Sequence, residues 1–529
     1  MDSTIKDVIR KDDTMETKGL NDKLAFILGD KVIWIYVVLA SFALYIYTLS
    51  PGITWGDSAK LVNYVIEKRF TYNFAGGHDL HTLFGIIFSL LPLHNIAYKQ
   101  NLMSAFFAAL ALGIFYIISE KIIKSKVAAL AAITSLAVSQ MFWFMAVINE
   151  SYSIIYFFFA LLFLLMLQYR ETHKPVYLFL FSISICFGAF DNSLIIIMLP
   201  LYLFFFLMTD KLILFDVKKL IAIFAGLIIG AALPIWFLEI VTPTHHVFAS
   251  IFSETLGGGA HLYIKSCRHM MLQVFRYPAY LFYQFPLFGF VYGIVGIYKS
   301  FKTDKIFFFT LLIGLVADIM FSSSYITQRA FNLMVPSFMI FSIFIGYGIK
   351  LFDERIIVRK NKTTGVVLLI LLFFTPIVFY DAVSTYMSKH PDKMIVHART
   401  LPFRNDIEYY LVPNKNKNYG PMKYAQEIFS ALPQNAILIA DFTPGEVLRY
   451  YRNAYGYRND VDIVDEDHYV FMGKDGGNAL INYIASELKI GKSVFLADNN
   501  PQYYFIPELR KVYKIESAGI AYKIVNKSE

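Results

Sequence analysis

The chain has 529 residues, of which 57% are hydrophobic, 17% aromatic and 17% charged, with a mean hydropathy of +0.52. That is too apolar for an ordinary soluble protein and reads as a polytopic membrane protein. The formal charge of +8 does not point to nucleic acid, because the basic residues fall in short clusters between apolar stretches rather than in one stripe. Cys186 and Cys267, the two cysteines, offer no disulfide framework and no metal-ligand spacing.

Residues 1–31 are polar with mixed charge and read as a cytoplasmic amino-terminal segment. The apolar stretch 32–50 follows without a small-residue cleavage site, so it reads as an uncleaved first span. Next comes a first outer loop, 51–98, holding the apolar segment 81–93, which at about thirteen residues suits an interfacial or re-entrant helix better than a crossing. Further candidate spans are 100–119, 127–149, 152–168, 176–190, 193–209, 220–241, 279–299, 306–321, 331–350 and 364–380, which makes about eleven. With the amino terminus inside and segment 81–93 not crossing, the basic clusters 121–126, 170–174, 211–219, 299–305 and 355–362 all fall on the cytoplasmic side. Residues 32–380 are thus expected to form the transmembrane domain.

After Tyr380 hydropathy falls. Residues 414–418 form a polar linker, and strand-like runs at 436–440, 461–464 and 493–497 alternate with helical stretches at 445–453 and 478–488. The region 381–529 therefore reads as a linker and a small α/β domain, extracytoplasmic by the odd span count.

This topology gathers the acids. Asp57, Glu150 and Asp191 lie at outer ends of spans, and Asp318 and Glu239 lie in outer halves, while the remaining spans carry no central charge. A carboxylate at the lip of a bilayer-embedded bundle is costly and is a functional candidate by default. Transfer of a group to a hydroxyl needs such a carboxylate as general base, plus a cationic site for the departing anion. Asp57 is the candidate base; its competing role is to cap a helix starting near Ala59. Glu150 sits in a very short connection between spans, where a solvated turn residue is the alternative. Arg329 is the candidate phosphate partner, because a guanidinium binds two phosphate oxygens in a fixed fork. A snorkelling interface anchor is the alternative for Arg329, and Lys265, Arg268 and Arg276 form a second basic group, any one of which could replace it. His78 can hydrogen-bond a substrate, but His245, His246 and His261 lack a metal-binding spacing. A divalent metal held by Asp57 and Glu150 stays open. Gly257, Gly258 and Gly259 read as plain flexible loop.

The run Ser50-Pro51-Gly52-Ile53-Thr54-Trp55-Gly56-Asp57-Ser58, followed by Gly77-His78-Asp79-Leu80, resembles the first outer loop of a multi-spanning family that includes a transmembrane protein O-mannosyltransferase. The resemblance continues through Phe142-Trp143, Ala146 to Tyr152, Asp191-Asn192, Gln284-Phe285-Pro286, Gln328-Arg329 and Leu432 to Leu438, and covers most of the chain. Ala59-Lys60, Asp79 and Asp191-Asn192 depart from the family's usual pattern. What the resemblance implies is a GT-C-like fold, a polyprenyl-phosphate sugar donor, and a protein or glycan acceptor met at the outer face of the lipid bilayer. The sugar would be mannose or another hexose and the acceptor a protein Ser/Thr hydroxyl, in a bacterial inner membrane. It further implies Trp55, His78, Tyr152, Asp191 and Asn192 as substrate-binding residues beside Asp57 and Glu150. A secondary transporter would carry its polar groups near the midplane, often in two repeated halves, and neither is visible here. A non-catalytic scaffold displaying the external domain is the remaining alternative.

Overall fold

The computed structural model describes residues 32–71, 78–192, 194–241, 267–324, 330–356, 362–393, 400–464 and 476–527. Helix α1 (Ile33–Tyr47) is followed by two short helices, α2 (Asp57–Glu67) and α3 (Asp79–Ser89). The bundle continues with α4 (Ile96–Ile123), α5 (Lys126–Ala137), α6 (Gln140–Ala146), α7 (Tyr152–Thr172), α8 (Pro175–Asp191), α9 (Leu199–Thr209) and α10 (Val217–Val241). It closes with α11 (Cys267–Gln284), α12 (Phe288–Thr303), α13 (Lys305–Ser324), α14 (Val335–Ile356) and α15 (Lys362–Lys389). Helices α12 and α14 meet backbone to backbone: a Cβ on Gly296 would lie 1.6 Å from the Phe344 carbonyl oxygen, and one on Gly348 would lie 2.0 Å from that of Tyr292. Small residues at such a crossing are how apolar helices pack tightly without water to drive them together.

Among the described residues six helices are long and apolar enough to cross a membrane, or up to eight if each bent pair is one span. The expected eleven is reached only by adding shorter apolar helices such as α1, α8 and α9, so that count remains an expectation. Two of the expected continuous spans are broken. Stretch 279–299 is split by Pro286 into α11 and α12, which meet at 118°. Proline removes a backbone donor and pushes its predecessor out of the helical region, and Leu287 just beyond it takes φ 51°. Stretch 127–149 bends by 66° between α5 and α6, where Ser139 is extended.

Ion pairs tie the basic clusters together at one end of the bundle. Lys121 pairs with Glu171 at 2.6 Å, Arg170 with Asp304 at 2.7 Å, and Lys219 with Asp210 at 2.7 Å. The Lys350 ammonium donates to the Ile123 carbonyl at 2.5 Å. Those contacts involve the ends of six helices, α4, α7, α9, α10, α12 and α14, at the end of the bundle opposite Asp57, Glu150 and Asp191.

The carboxyl-terminal region folds as α16 (Asp406–Leu411), α17 (Gly420–Ala431), β1 (Ile437–Ile439), α18 (Phe442–Tyr455), β2 (Asp462–Val464), α19 (Gly476–Lys489), β3 (Val494–Leu496), α20 (Ile506–Val512), β4 (Tyr513–Ala518) and β5 (Ala521–Asn526). The sheet order is β2-β1-β3-β5-β4. The first three strands are parallel, which requires helical crossovers, while β4 and β5 form an antiparallel hairpin turned at Gly519. The strands read from sequence are present, but the hairpin was not anticipated. This domain does not hang free. Ile53, Trp55, Ala59, Val62 and Ala97 share one apolar core with Tyr424, Ile428, Leu448 and Phe495.

Candidate active site

The loop between α1 and α2 is fixed from beneath. Asn101 Nδ2 donates to the carbonyls of Ser50 and Gly52, both at 2.9 Å, and Asn95 Nδ2 donates to that of Pro51 at 3.0 Å. Trp143 Nε1 donates to Thr48 Oγ1 at 2.8 Å. Gly56 then takes φ 65° and ψ −128°, a conformation closed to other residues without strain, and turns the chain into α2. Asp57 is the first residue of that helix, not the residue before it, and Gly56 makes no side-chain cap. Asp57 thus stands in the first turn, where a carboxylate also interacts favourably with the positive end of the helix dipole. Asp57 is exposed whereas its neighbours Ser58 and Ala59 are fully buried, so the chain presents this carboxylate alone.

Below it runs a buried hydrogen-bond relay. Asp191 accepts from the His81 backbone N–H at 2.8 Å, the His81 ring Nε2 meets Asn149 Oδ1 at 3.0 Å, and Asn149 Nδ2 donates to the Ser58 carbonyl at 3.3 Å. Because amide oxygen only accepts, His81 carries its proton on Nε2. Burial pushes this imidazole down to about 3, repulsion from His78 adding to the effect and the Asn149 bond opposing it. The relay joins α8, α3, the turn before α7, and α2. It holds the reactive helix end against the bundle.

His78, half-buried, donates from Nδ1 to the Asp191 carbonyl at 2.9 Å, which leaves Nε2 as an acceptor. Burial lowers its pKa, although nearby Asp57 and the Asp191 carbonyl pull it up. Asp79 is buried and accepts from Thr71 N–H at 2.7 Å, bracing the two ends of a loop whose residues 72–77 lie outside the described set. Lys60, missed by sequence reasoning, lies one turn after Asp57. Its ammonium sits 5.3 Å from the Phe442 ring and 5.7 Å from the Tyr64 ring. Burial would lower its pKa, but Tyr64, Asp57 and Glu446 outweigh that and raise it, so Lys60 is a charged partner within reach of Asp57.

Other expected residues fall elsewhere. Asp191 is fully buried and serves the relay rather than an open surface. Asn192 accepts from the Leu194 N–H at 3.0 Å, which spends its side-chain oxygen on the next turn. Asp318 accepts from the Ser337 N–H at 2.9 Å at the start of α14, so its carboxylate braces a helix end instead of facing a wet cavity. Glu150 and Tyr152 are half-buried, and Glu150 reaches Tyr409 of the linker electrostatically. Trp55 is 5% exposed and wedged edge-on against Tyr424 of the carboxyl-terminal domain. Arg268 is exposed on α11, and Arg276 hydrogen-bonds Tyr280 on the same helix. Neither joins the relay. Arg329, Lys265, His245, His246, His261 and Gly257 to Gly259 lie outside the described residues. Among the described residues there is no group of three or more His, Cys, Asp or Glu able to hold a metal.

An apolar bundle, an exposed Asp57 carboxylate at one end of it, and a small sheet domain seated on that end define a multi-pass integral membrane protein of the GT-C fold, the fold of a class of membrane glycosyltransferases. The chain superimposes on ArnT from Cupriavidus metallidurans bound to undecaprenyl phosphate with a TM-score of 0.54 and 12% identity, covering 94% of this chain and 98% of that one. Apo ArnT from the same organism gives 0.54 and 10% over the same shares. The archaeal oligosaccharyltransferase AglB from Archaeoglobus fulgidus, in complex with an inhibitory peptide and a dolichol-phosphate, gives 0.47 and 13%, covering 94% and 75%. Residues 70–213 match a family model, described as the protein O-mannosyl-transferase TMEM260 N-terminal domain. That match includes His78, Glu150, Tyr152, Asp191 and Asn192 and begins beyond Asp57.

Proposed function

We propose that the protein is a membrane glycosyltransferase that moves a hexose from a polyprenyl-phosphate donor to a hydroxyl acceptor at the extracytoplasmic face. The observation that carries this reading is the exposed Asp57 carboxylate at the start of α2, held by the buried Asp191–His81–Asn149 relay and flanked by Lys60. In this reaction the acceptor oxygen attacks the anomeric carbon, its proton passes to Asp57, and the bond from that carbon to the phosphate oxygen breaks. The lipid phosphate leaves with the electron pair. Lys60 supplies positive charge for it, and a charge-assisted contact strengthens as negative charge develops on the leaving oxygen. Arg329, the phosphate partner expected from sequence, lies outside the described residues, and Lys60 is the cation that the described residues place near Asp57. Three features support the lipid donor and hydroxyl acceptor: the GT-C fold, the undecaprenyl phosphate held by ArnT, and the O-mannosyl-transferase description of the matching family model. Mannose and protein Ser/Thr are the particular sugar and acceptor that this description favours.

The test is transfer by purified protein from a panel of polyprenyl-phosphate sugars to hydroxyl peptides and glycans, read by mass spectrometry. Wild type should transfer from at least one donor. Asp57→Asn keeps the shape of the side chain but cannot take the proton, so it should lose about a hundredfold or more in rate. Wild-type transfer by folded Asp57→Asn would reject this mechanism.

A further inference from the structure

A polar cavity of about 440 Å3 opens between residues 403–423 and the loop that follows α1, with Trp55 in its wall. The linker lies across the outer end of α1, where Lys415 N–H donates to the Thr48 carbonyl at 2.9 Å and Asn416 Nδ2 to that of Tyr47 at 3.1 Å. Arg404 and Asn418 both line this cavity, and each carries a buried donor that the chain does not itself satisfy, the Arg404 guanidinium lying over the Trp55, Tyr409 and Tyr410 rings. The Arg404 side chain is only 3% exposed; its Nε pairs with Asp406 and its Nη2 donates to the Tyr410 hydroxyl at 2.9 Å, but its Nη1 has no partner among the described residues. Asn418 Nδ2 is buried and equally unpartnered. A buried donor left unpaired costs about 1–3 kcal/mol, so two lining one cavity mark a place where an acceptor-rich guest belongs.

Charge points the same way. Lys415 is 4% exposed, with its ammonium 5.0 Å from the Phe144 ring and 5.3 Å from the Tyr409 ring. Burial pushes that ammonium down to about 7, with Glu408 pulling it back up, so an anion beside it would restore the charged form. Lys417 and Lys423 line the exposed side, against the single carboxylate of Glu408. Phe403 and Tyr419 stand exposed at the rim, and further asparagines line the wall. Flat rings beside amide groups suit a sugar ring and its hydroxyls.

We infer that this cavity is a binding site for a saccharide bearing an oxyanion, a phosphate or a carboxylate, with Arg404 Nη1, Lys415 and Asn418 as its donors. Asp57 is not among the residues that line the cavity, although Trp55 is, and the inference does not depend on the transferase reading. Calorimetric titration of the full-length protein in detergent tests it, with glucose 1-phosphate and glucuronate as probes and glucose and inorganic phosphate as controls. Both acidic sugars should bind at least tenfold more tightly than either control. Lys415→Gln, which relieves a buried charge, should weaken them about tenfold. Should that variant fail to fold, the exposed pair Lys417→Gln with Lys423→Gln should still weaken them several-fold. Asp57→Asn should bind them as wild type does. Equal binding of glucose and glucose 1-phosphate, inorganic phosphate binding as tightly as the sugar phosphate, or unchanged affinity in every folded lysine variant would each overturn the site. Loss of transfer in Asp57→Asn with no acidic-sugar binding anywhere would leave the transferase standing and remove only this cavity.

Discussion

At the residue scale a short chain of buried polar groups, Asp191, His81 and Asn149, holds the helix end that presents the exposed Asp57. Asp57 was legible in sequence because Trp55-Gly56-Asp57-Ser58 puts a carboxylate directly after a long apolar stretch, where desolvation makes an idle charge expensive. Lys60 was not legible as a partner, since only the fold brings its stem against Phe442, a residue almost four hundred positions away. Lys60→Gln should raise the KM for the lipid donor about tenfold, the usual weight of one charge-assisted contact, with circular dichroism unchanged. His81 makes a different prediction. An unfolded histidine titrates near 6.5, whereas the buried ring titrates near 3. Between those values the unfolded chain binds a proton that the folded chain refuses. Stability from this group is therefore whole above about pH 6.5 and declines as pH falls, by about 1.4 kcal/mol per pH unit. His81→Gln retains a donor for Asn149 without titrating, so thermal unfolding measured from pH 7 to pH 5 should fall less steeply in that variant. Equal slopes would place the acid sensitivity elsewhere.

At the scale of elements, α2 and α18 act as one unit. Asn63 Nδ2 donates to the Glu446 carboxylate at 2.7 Å and to the Glu446 carbonyl at 3.0 Å, and Asn453 reaches Glu67 at 2.8 Å. Both Asn63 and Glu446 are buried, so Asn63→Asp would face one carboxylate with another where water cannot screen them. We expect it to cost about 3 kcal/mol or more, and Glu446→Gln in the same chain to recover most of that loss in a thermal unfolding assay. No recovery would mean the two helices are not coupled through this pair. This docking was invisible in the sequence, although its parts were not. The parallel strands at 437–439 and 494–496 could be read because buried strands are continuous apolar runs. The β4–β5 hairpin was missed although Tyr513-Lys514-Ile515-Glu516 alternates apolar and charged residues as a half-buried strand does, because that alternation is short and β5 does not continue it. The break at Pro286 was passed over because hydropathy stays high on both sides of it, and an apolar average does not register a missing backbone donor.

At the scale of the whole molecule, the two ends of the bundle differ in charge chemistry. One end gathers Lys121, Arg170 and Lys219 with their carboxylate partners; the other carries Asp57, His78 and the sheet domain. Basic residues are retained on the cytoplasmic side during insertion, so we expect the first end inside and the second outside. The basic clusters vote independently, and contacts between Lys121 and Glu171 and between Arg170 and Asp304 require three of the loops involved to lie together. A cysteine-free background made by Cys186→Ser and Cys267→Ser allows a direct test. Glu427→Cys, exposed on α17, should react with a membrane-impermeant maleimide added to intact cells. Lys211→Cys, exposed in the loop after α9, should react only after the membrane is opened. The orientation matters to mechanism as well as to topology, because the Asp57 face must meet both a donor lipid and an acceptor that has left the cytoplasm. Labelling of Lys211→Cys in intact cells together with protection of Glu427→Cys would invert the molecule and put the chemistry inside. Reaction of both from one side would mean that an odd number of the apolar helices between them fails to cross. The short helices α1, α8 and α9 are not the place to look, since all three precede Lys211; the bent pair α11 and α12, whose halves meet at 118°, is where a crossing would most readily become a re-entrant loop.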